Sequence, residues 1–88
     1  MSRRGYSNVR DKNTYLILKR AKESSITSGD AKFMCGYINI QHASRKLRRL
    51  YTWGKLSRRR LPTRVGGVKY LYNITKEGEK YLEWYEKV

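Results

Sequence analysis

The chain has 88 residues, which limits it to one domain with a single small hydrophobic core. Its formal net charge of +14 favours a polyanionic partner, and nucleic acid is the first candidate. No apolar run reaches the roughly 20 residues of a membrane-spanning helix, and residues 1–10 lack the apolar stretch of a signal peptide, so we predict a cytoplasmic protein without a membrane partner. Cys35 is the one cysteine, which excludes an intrachain disulfide and a zinc site built on several thiolates.

The first dozen residues are basic and have no apolar periodicity. We predict a basic, flexible arm over 1–12 and a single domain over 13–88, with a disordered start of no function as the alternative for the arm. Asp11 or Asn13 is suited to cap a first helix with one apolar face, which ends near Ser24.

A second, short helix is predicted after Thr27. Asp30 follows three positions later, and this spacing approximates a capping box. Ala31 and either Met34 or Phe33 are expected to face the core.

A helix-turn-helix pattern follows, because Gly36 can adopt the left-handed conformation that ends a helix and Asn39 can cap the next one. The third helix is predicted over about 40–53 and ends at Gly54. Three apolar residues at helical spacing form its buried stripe: Ala43, Leu47 and Leu50. The other positions are expected to face solvent: Gln41, His42, Ser44, Arg45, Arg48, Arg49 and Thr52, with Lys46 on the flank.

The pattern then becomes extended and predicts a hairpin with its turn at Gly66-Gly67. The two candidate strands cover 55–64 and 68–74. Alternate residues of the second strand share the core-facing side: Tyr70, Tyr72 and Ile74. Leu61 lies five positions after Leu56 and cannot share a face with it on a straight strand, so we expect a kink near Arg60.

Thr75 is suited to cap a last helix over 76–88. Its charges are of both signs, which does not favour binding to a polyanion. Its apolar stripe can close its own domain or meet a second copy, and we predict a homodimer through this helix. The candidate dimer residues are Tyr81, Leu82, Trp84 and Tyr85.

The basic residues are segregated along the chain. No acidic residue occurs between Asp30 and Glu77, whereas a surface shaped only for solubility would mix both signs. Like charges one helical turn apart, such as Arg45 and Arg49, destabilise a helix by a few tenths of a kcal/mol. This arrangement favours a binding surface over a merely solvated one.

The start of the third helix carries side chains that suit base edges in a DNA major groove, since arginine can fork onto guanine and glutamine onto adenine. We predict four base-contacting residues: Gln41, His42, Ser44 and Arg45. Other cations are better placed for phosphates or for the wing described below: Lys46, Arg48, Arg49, Arg58, Arg59, Arg60, Arg64 and Lys69. No catalytic set, metal site or cofactor-binding motif is found, so we predict neither an enzyme nor a cofactor.

Three segments resemble winged helix-turn-helix domains of MarR-, ArsR- and PadR-like transcription regulators: ITSGDAKFM, NIQHASRKLRRLYTWGKLSRR and YLYNITKEGEKYLE. The resemblance implies an α+β fold with a three-helix core, a two-stranded β-hairpin wing and a C-terminal helix. It places DNA contacts on the four base-contacting residues and the wing on Arg64 through Lys69. The chain lacks effector-binding extensions, so no small-molecule effector is predicted. In size and composition it is also similar to small winged-helix proteins of archaea and archaeal viruses, and a viral protein would act in the host cell cytoplasm.

The leading hypothesis is a sequence-specific double-stranded DNA-binding protein that regulates transcription as a homodimer. Its third helix would enter the major groove, and a wing over about 61–70 would lie on the adjacent minor groove or backbone. Two alternatives are an RNA-binding ribonucleoprotein component of the ribosomal type and a nonspecific DNA-coating protein that needs only phosphate-directed charges.

Overall fold

The computed structural model describes residues 11–64 and 69–87. The elements are α1 (Lys12–Glu23), α2 (Ser28–Cys35), α3 (Ile40–Thr52), β1 (Leu56–Leu61), β2 (Lys69–Ile74) and α4 (Lys76–Lys87). This order confirms the predicted one. The predicted arm falls mostly on residues 1–10, which lie outside the described part, while Asp11 and Lys12 cap and begin α1.

Side chains at the helix starts fix where the first three helices begin. Asp11 caps α1, Asn39 caps α3, and Thr27 and Asp30 form a reciprocal capping box at α2. Gly36, with φ of 70°, ends α2 in the left-handed conformation. These local predictions are confirmed.

The core lies between the helices and one face of the hairpin. Its buried hydrophobic residues are Ile17, Leu18, Ala21, Ile26, Ala31, Ala43, Leu47, Leu50, Leu56, Tyr72, Tyr81 and Leu82. Met34 packs against this cluster, whereas Phe33 is 91% exposed. Met34 is the inward residue because it lies three positions after buried Ala31 and so shares its face of α2.

The hairpin is a regular antiparallel pair. Its register runs one to one from Leu56 through Leu61, so the kink predicted near Arg60 is wrong. Leu61 is only half-buried and lies on the face opposite Leu56, which removes the need for a bend. The predicted turn falls on 65–68, outside the described residues.

Close contacts hold the start of α4 to the residues that precede β1. Thr75 Oγ1 accepts a hydrogen bond from the Gly78 N–H at 3.1 Å and donates one to the Gly54 carbonyl at 2.6 Å. A Cβ added at Gly78 would lie 2.4 Å from the carbonyl oxygen of Lys55. Glycine is therefore required where α4 crosses the residue before β1.

The apolar stripe of α4 packs on its own domain. Tyr81 and Leu82 are 4% and 5% exposed, and the Tyr85 ring stacks on the Tyr15 ring of α1 with centroids 4.3 Å apart. The prediction that Tyr81 and Leu82 contact a second copy is therefore wrong, because both belong to the core. Trp84 and Tyr85 are half-buried, and the homodimer itself stays a prediction.

Candidate nucleic-acid interface

One face of α3 is polar and basic. Successive helical residues are turned by about 100°, and the buried stripe of Ala43, Leu47 and Leu50 therefore leaves the opposite side to solvent. The residues on that side are exposed: Gln41, Arg45, Arg48, Arg49 and Thr52. This face can donate several hydrogen bonds to an anionic partner.

Three of the four predicted base-contacting residues are available to a ligand. Gln41, His42 and Arg45 are exposed. Ser44 is half-buried, and its hydroxyl donates to Ser28 Oγ of α2 at 2.9 Å. The Ser44 hydroxyl thus joins two helices.

Lys46, predicted as a phosphate contact, is engaged within the chain. Its ammonium pairs with the carboxylate of Asp11. Burial raises the pKa of Asp11, but hydrogen bonds from Lys46, Thr14 and the Asn13 N–H outweigh this effect, so the pKa lies below its ordinary value of 3.8. The ion pair fixes the flank of α3 against the start of α1.

The guanidinium of Arg58 contacts two tyrosine rings. Its Cζ is 4.1 Å from the ring centroid of Tyr51 on α3 and 4.0 Å from that of Tyr70 on β2. A hydrogen bond with Tyr72 raises the pKa of Arg58. The two ring contacts and the hydrogen bond position the guanidinium, and its other N–H groups can donate to an acceptor. The sequence predicts Arg58 as a basic contact but gives no sign of these partners.

The other predicted wing cations are exposed: Arg59, Arg60, Arg64 and Lys69. Side chains alternate along a strand, so Arg60 shares the side of Arg58 and Arg59 lies on the opposite one. The segment between Arg64 and Lys69 lies outside the described residues.

A cleft of about 370 Å³ opens where α2, α3 and the hairpin meet. Its described lining contains three cations and no acidic residue: Ser28, Gly29, Ile40, Ser44, Arg48, Arg58, Lys69, Tyr70 and Tyr72. The cleft is therefore suited to a negatively charged group.

Lys55 belongs to the same acid-free segment but lies inside the fold. It is 4% exposed, and its ammonium is 5.9 Å from the ring centroid of Trp53 and 5.5 Å from that of Tyr81. Burial lowers the pKa of Lys55. Sequence alone did not separate this internal cation from those on the surface.

Within residues 11–64 and 69–87, no three His, Cys, Asp or Glu side chains are grouped to hold a metal ion. In the same part of the chain, every helix is too short or too polar to span a bilayer.

Cys35, the one cysteine, is half-buried. Burial raises the pKa of its thiol.

Comparison with solved structures identifies a similar architecture. The crystal structure of Bacillus subtilis PadR in complex with operator DNA matches with a TM-score of 0.70 and 16% sequence identity, over 83% of this chain and 46% of the PadR chain. The chain has a winged helix-turn-helix fold. No protein-family model and no curated protein matches the sequence.

In this winged helix-turn-helix, α2 and α3 form the helix-turn-helix and the β1–β2 hairpin forms the wing. The cleft with Arg48, Arg58 and Lys69 lies where these two parts meet. The chain spans less than half the length of the PadR chain, so the likeness concerns the winged-helix part alone.

Proposed function

We propose that this winged-helix protein binds double-stranded DNA sequence-specifically and regulates transcription, with α3 in the major groove and the wing, about 61–70, on the adjacent minor groove or backbone. The observation that carries the proposal is the surface that joins the outward face of α3 to the cleft beside it, because its described residues include cations and no acid. The matched PadR structure is a complex with operator DNA, which supports a DNA partner. The proposal includes no enzymatic activity and no small-molecule effector.

Base contacts are assigned to the N-terminal half of α3. Arg45 would fork onto guanine O6 and N7, and Gln41 onto adenine N6 and N7, each pair worth about 1–3 kcal/mol of discrimination. His42 is exposed beside them and completes the set. Ser44 stays a proposed contact, because its hydroxyl oxygen can accept a hydrogen bond from a base while it donates to Ser28.

Phosphate contacts are assigned to the cleft and its surroundings. Arg48, Arg58 and Lys69 share the cleft, so a single backbone phosphate seated there would meet positive charge from α3 and from both strands. These contacts would position α3 without carrying sequence information. The remaining exposed cations of the proposed phosphate set are Arg49, Arg59, Arg60 and Arg64. Lys46 is not included in this set, because its ammonium forms the ion pair with Asp11.

A homodimer is part of the proposal, since two copies would place two α3 helices in major grooves one helical turn apart. Of the four candidate dimer residues, Trp84 and Tyr85 are the two that are only half-buried. Twofold symmetry in DNA sites selected from a random library would support the dimer, and single asymmetric sites would contradict it.

Competition binding at one salt concentration tests the function. The competitors are a duplex selected from a random library, random duplex DNA and a structured RNA. A preference of a thousandfold or more for the selected duplex supports the proposal. Near equality among duplexes would support a nonspecific DNA-coating protein, and tighter binding to RNA would support a ribonucleoprotein component.

A further inference from the structure

Two aliphatic side chains are exposed at the N-terminal end of α3. Ile38 is 84% exposed and Ile40 is 49% exposed, and they flank the cap residue Asn39. Large aliphatic groups are normally placed in the core, because burial removes their apolar surface from water. Two of them beside one helix start point to a ligand with an apolar group.

The position of these residues connects them with the proposed interface. Ile40 lines the cleft that also holds Arg48 and Arg58, and Ile38 lies two positions earlier, in the turn between α2 and α3. Gln41, the proposed adenine contact, follows directly. Ile40 therefore lies among cations, and the amide residues Asn39 and Gln41 are its neighbours in the sequence, which favours a partner that carries negative charge as well as apolar groups.

A DNA major groove has this combination. Its base edges present hydrogen-bond donors and acceptors and one apolar group, the 5-methyl of thymine. We infer that Ile38 and Ile40 contact thymine methyl groups and are specificity-determining residues for thymine near the base contacted by Gln41. The inference rests on the proposed function and adds an apolar component to contacts otherwise made by hydrogen bonds.

Replacing thymine by uracil tests this, because uracil lacks only the 5-methyl group. The probes are the duplex that the wild-type protein selects from a random library, with its thymines replaced one at a time, and a random-sequence duplex pool made with either thymine or uracil. The wild-type protein should bind about fourfold more weakly for each contacted methyl removed, as expected for burial of one methyl group. Ile38→Ala or Ile40→Ala should abolish this difference at the position that the residue contacts.

The thymine-to-uracil ratio is measured within each variant, so an effect of the substitution on folding cancels. Phe33→Ala is the matched control, because Phe33 is an apolar residue of α2 that is 91% exposed. This substitution should leave the ratio at its wild-type value. Equal binding of thymine and uracil DNA by the wild-type protein, selected sites without thymine, or alanine variants with the wild-type ratio would each overturn the inference. If selection from the random library enriches no site, the proposed sequence specificity is wrong. Binding to the thymine pool and to the uracil pool then still shows whether the protein contacts the methyl group.

Discussion

Asp11 and Lys46, 35 positions apart in the sequence, form an ion pair between the start of α1 and the flank of α3. Asp11 also accepts a hydrogen bond from the Asn13 N–H as the cap of α1. One carboxylate thus stabilises a helix start and holds the helix of the proposed interface in place.

Removing this carboxylate is expected to destabilise the domain. Asp11→Ala should lower the free energy of unfolding by about 1–2 kcal/mol, because it removes a helix cap and a partly exposed ion pair. Asp11→Asn keeps an oxygen that can cap the helix, so it should cost less, about 0.5–1 kcal/mol. Urea unfolding at neutral pH measures both. Equal losses in the two variants would contradict a contribution from the cap, and an Asp11→Asn variant as stable as the wild-type protein would contradict one from the charge.

The same pair gives a pH dependence. The pKa of Asp11 is lower in the folded chain than its ordinary value of 3.8, so its ionised form stabilises the fold above that value, and this stabilisation is lost as pH falls through the lowered pKa. The stability difference between the wild-type protein and Asp11→Asn should therefore be complete at neutral pH and shrink below pH 3.8. A difference that stays constant over this range would show that the charge of Asp11 contributes nothing.

Two arginines of α3 should differ in what they contribute to binding. Arg45→Ala should reduce the preference for the selected duplex over random DNA, because Arg45 is proposed to contact a base. Arg49→Ala should weaken binding to all duplexes alike and lower the salt dependence by about one unit, as for one lost phosphate contact. Titrations of both duplexes at several salt concentrations measure these effects, and equal changes in preference would refute the division.

The contacts of Arg58 with two tyrosine rings should matter for affinity. Arg58→Met is expected to weaken binding to every duplex, and Arg58→Lys should restore only part of the loss, since an ammonium lacks the planar surface that a guanidinium offers to the rings of Tyr51 and Tyr70. Arg59→Met removes a proposed phosphate contact of the same charge on the opposite side of β1, outside the cleft, and should have the smaller effect. The cleft loses its assigned role if the two methionine variants weaken binding equally.

Two glycines on different helices should respond oppositely to alanine. Gly78→Ala would place a Cβ 2.4 Å from the Lys55 carbonyl oxygen and 2.7 Å from Ile74 Cγ1, so we expect a loss of about 1–3 kcal/mol from overpacking. Gly29→Ala meets only Thr27 Oγ1 at 3.7 Å and should be neutral or stabilising by up to about 1 kcal/mol. Thermal or urea unfolding measures both. A Gly78→Ala variant as stable as the wild-type protein would show that α4 shifts without cost.

Local signals explain why the order and ends of most helices could be predicted. The hydrogen bonds made by Thr27, Asp30 and Asn39 join residues three positions apart, so both partners of each bond occur in one short stretch of sequence. The kink expected near Arg60 failed because it assumed that Leu61 has to reach the core. Whether a strand residue is needed in the core depends on what packs there from distant segments, which spacing along one strand does not report.

The candidate site was likewise predictable where it depends on local periodicity and not where it depends on contacts between elements. Helical periodicity alone identified the outward face of α3. Three other features depend on contacts between different elements: the ion pair of Lys46 with Asp11, the ring contacts of Arg58 and the burial of Lys55. A single sequence contains no local sign of such contacts.

An NMR titration of isotope-labelled protein with the selected duplex tests most directly whether the α3 face and the adjoining cleft bind DNA. We expect the largest shifts in the amide signals of α3, the turn before it and the hairpin, and in the side-chain N–H signals of Arg45, Arg48 and Arg58. Small, uniform changes are expected on the outer sides of α1 and α4. Largest shifts on α1 or α4, with α3 unaffected, would contradict this expectation.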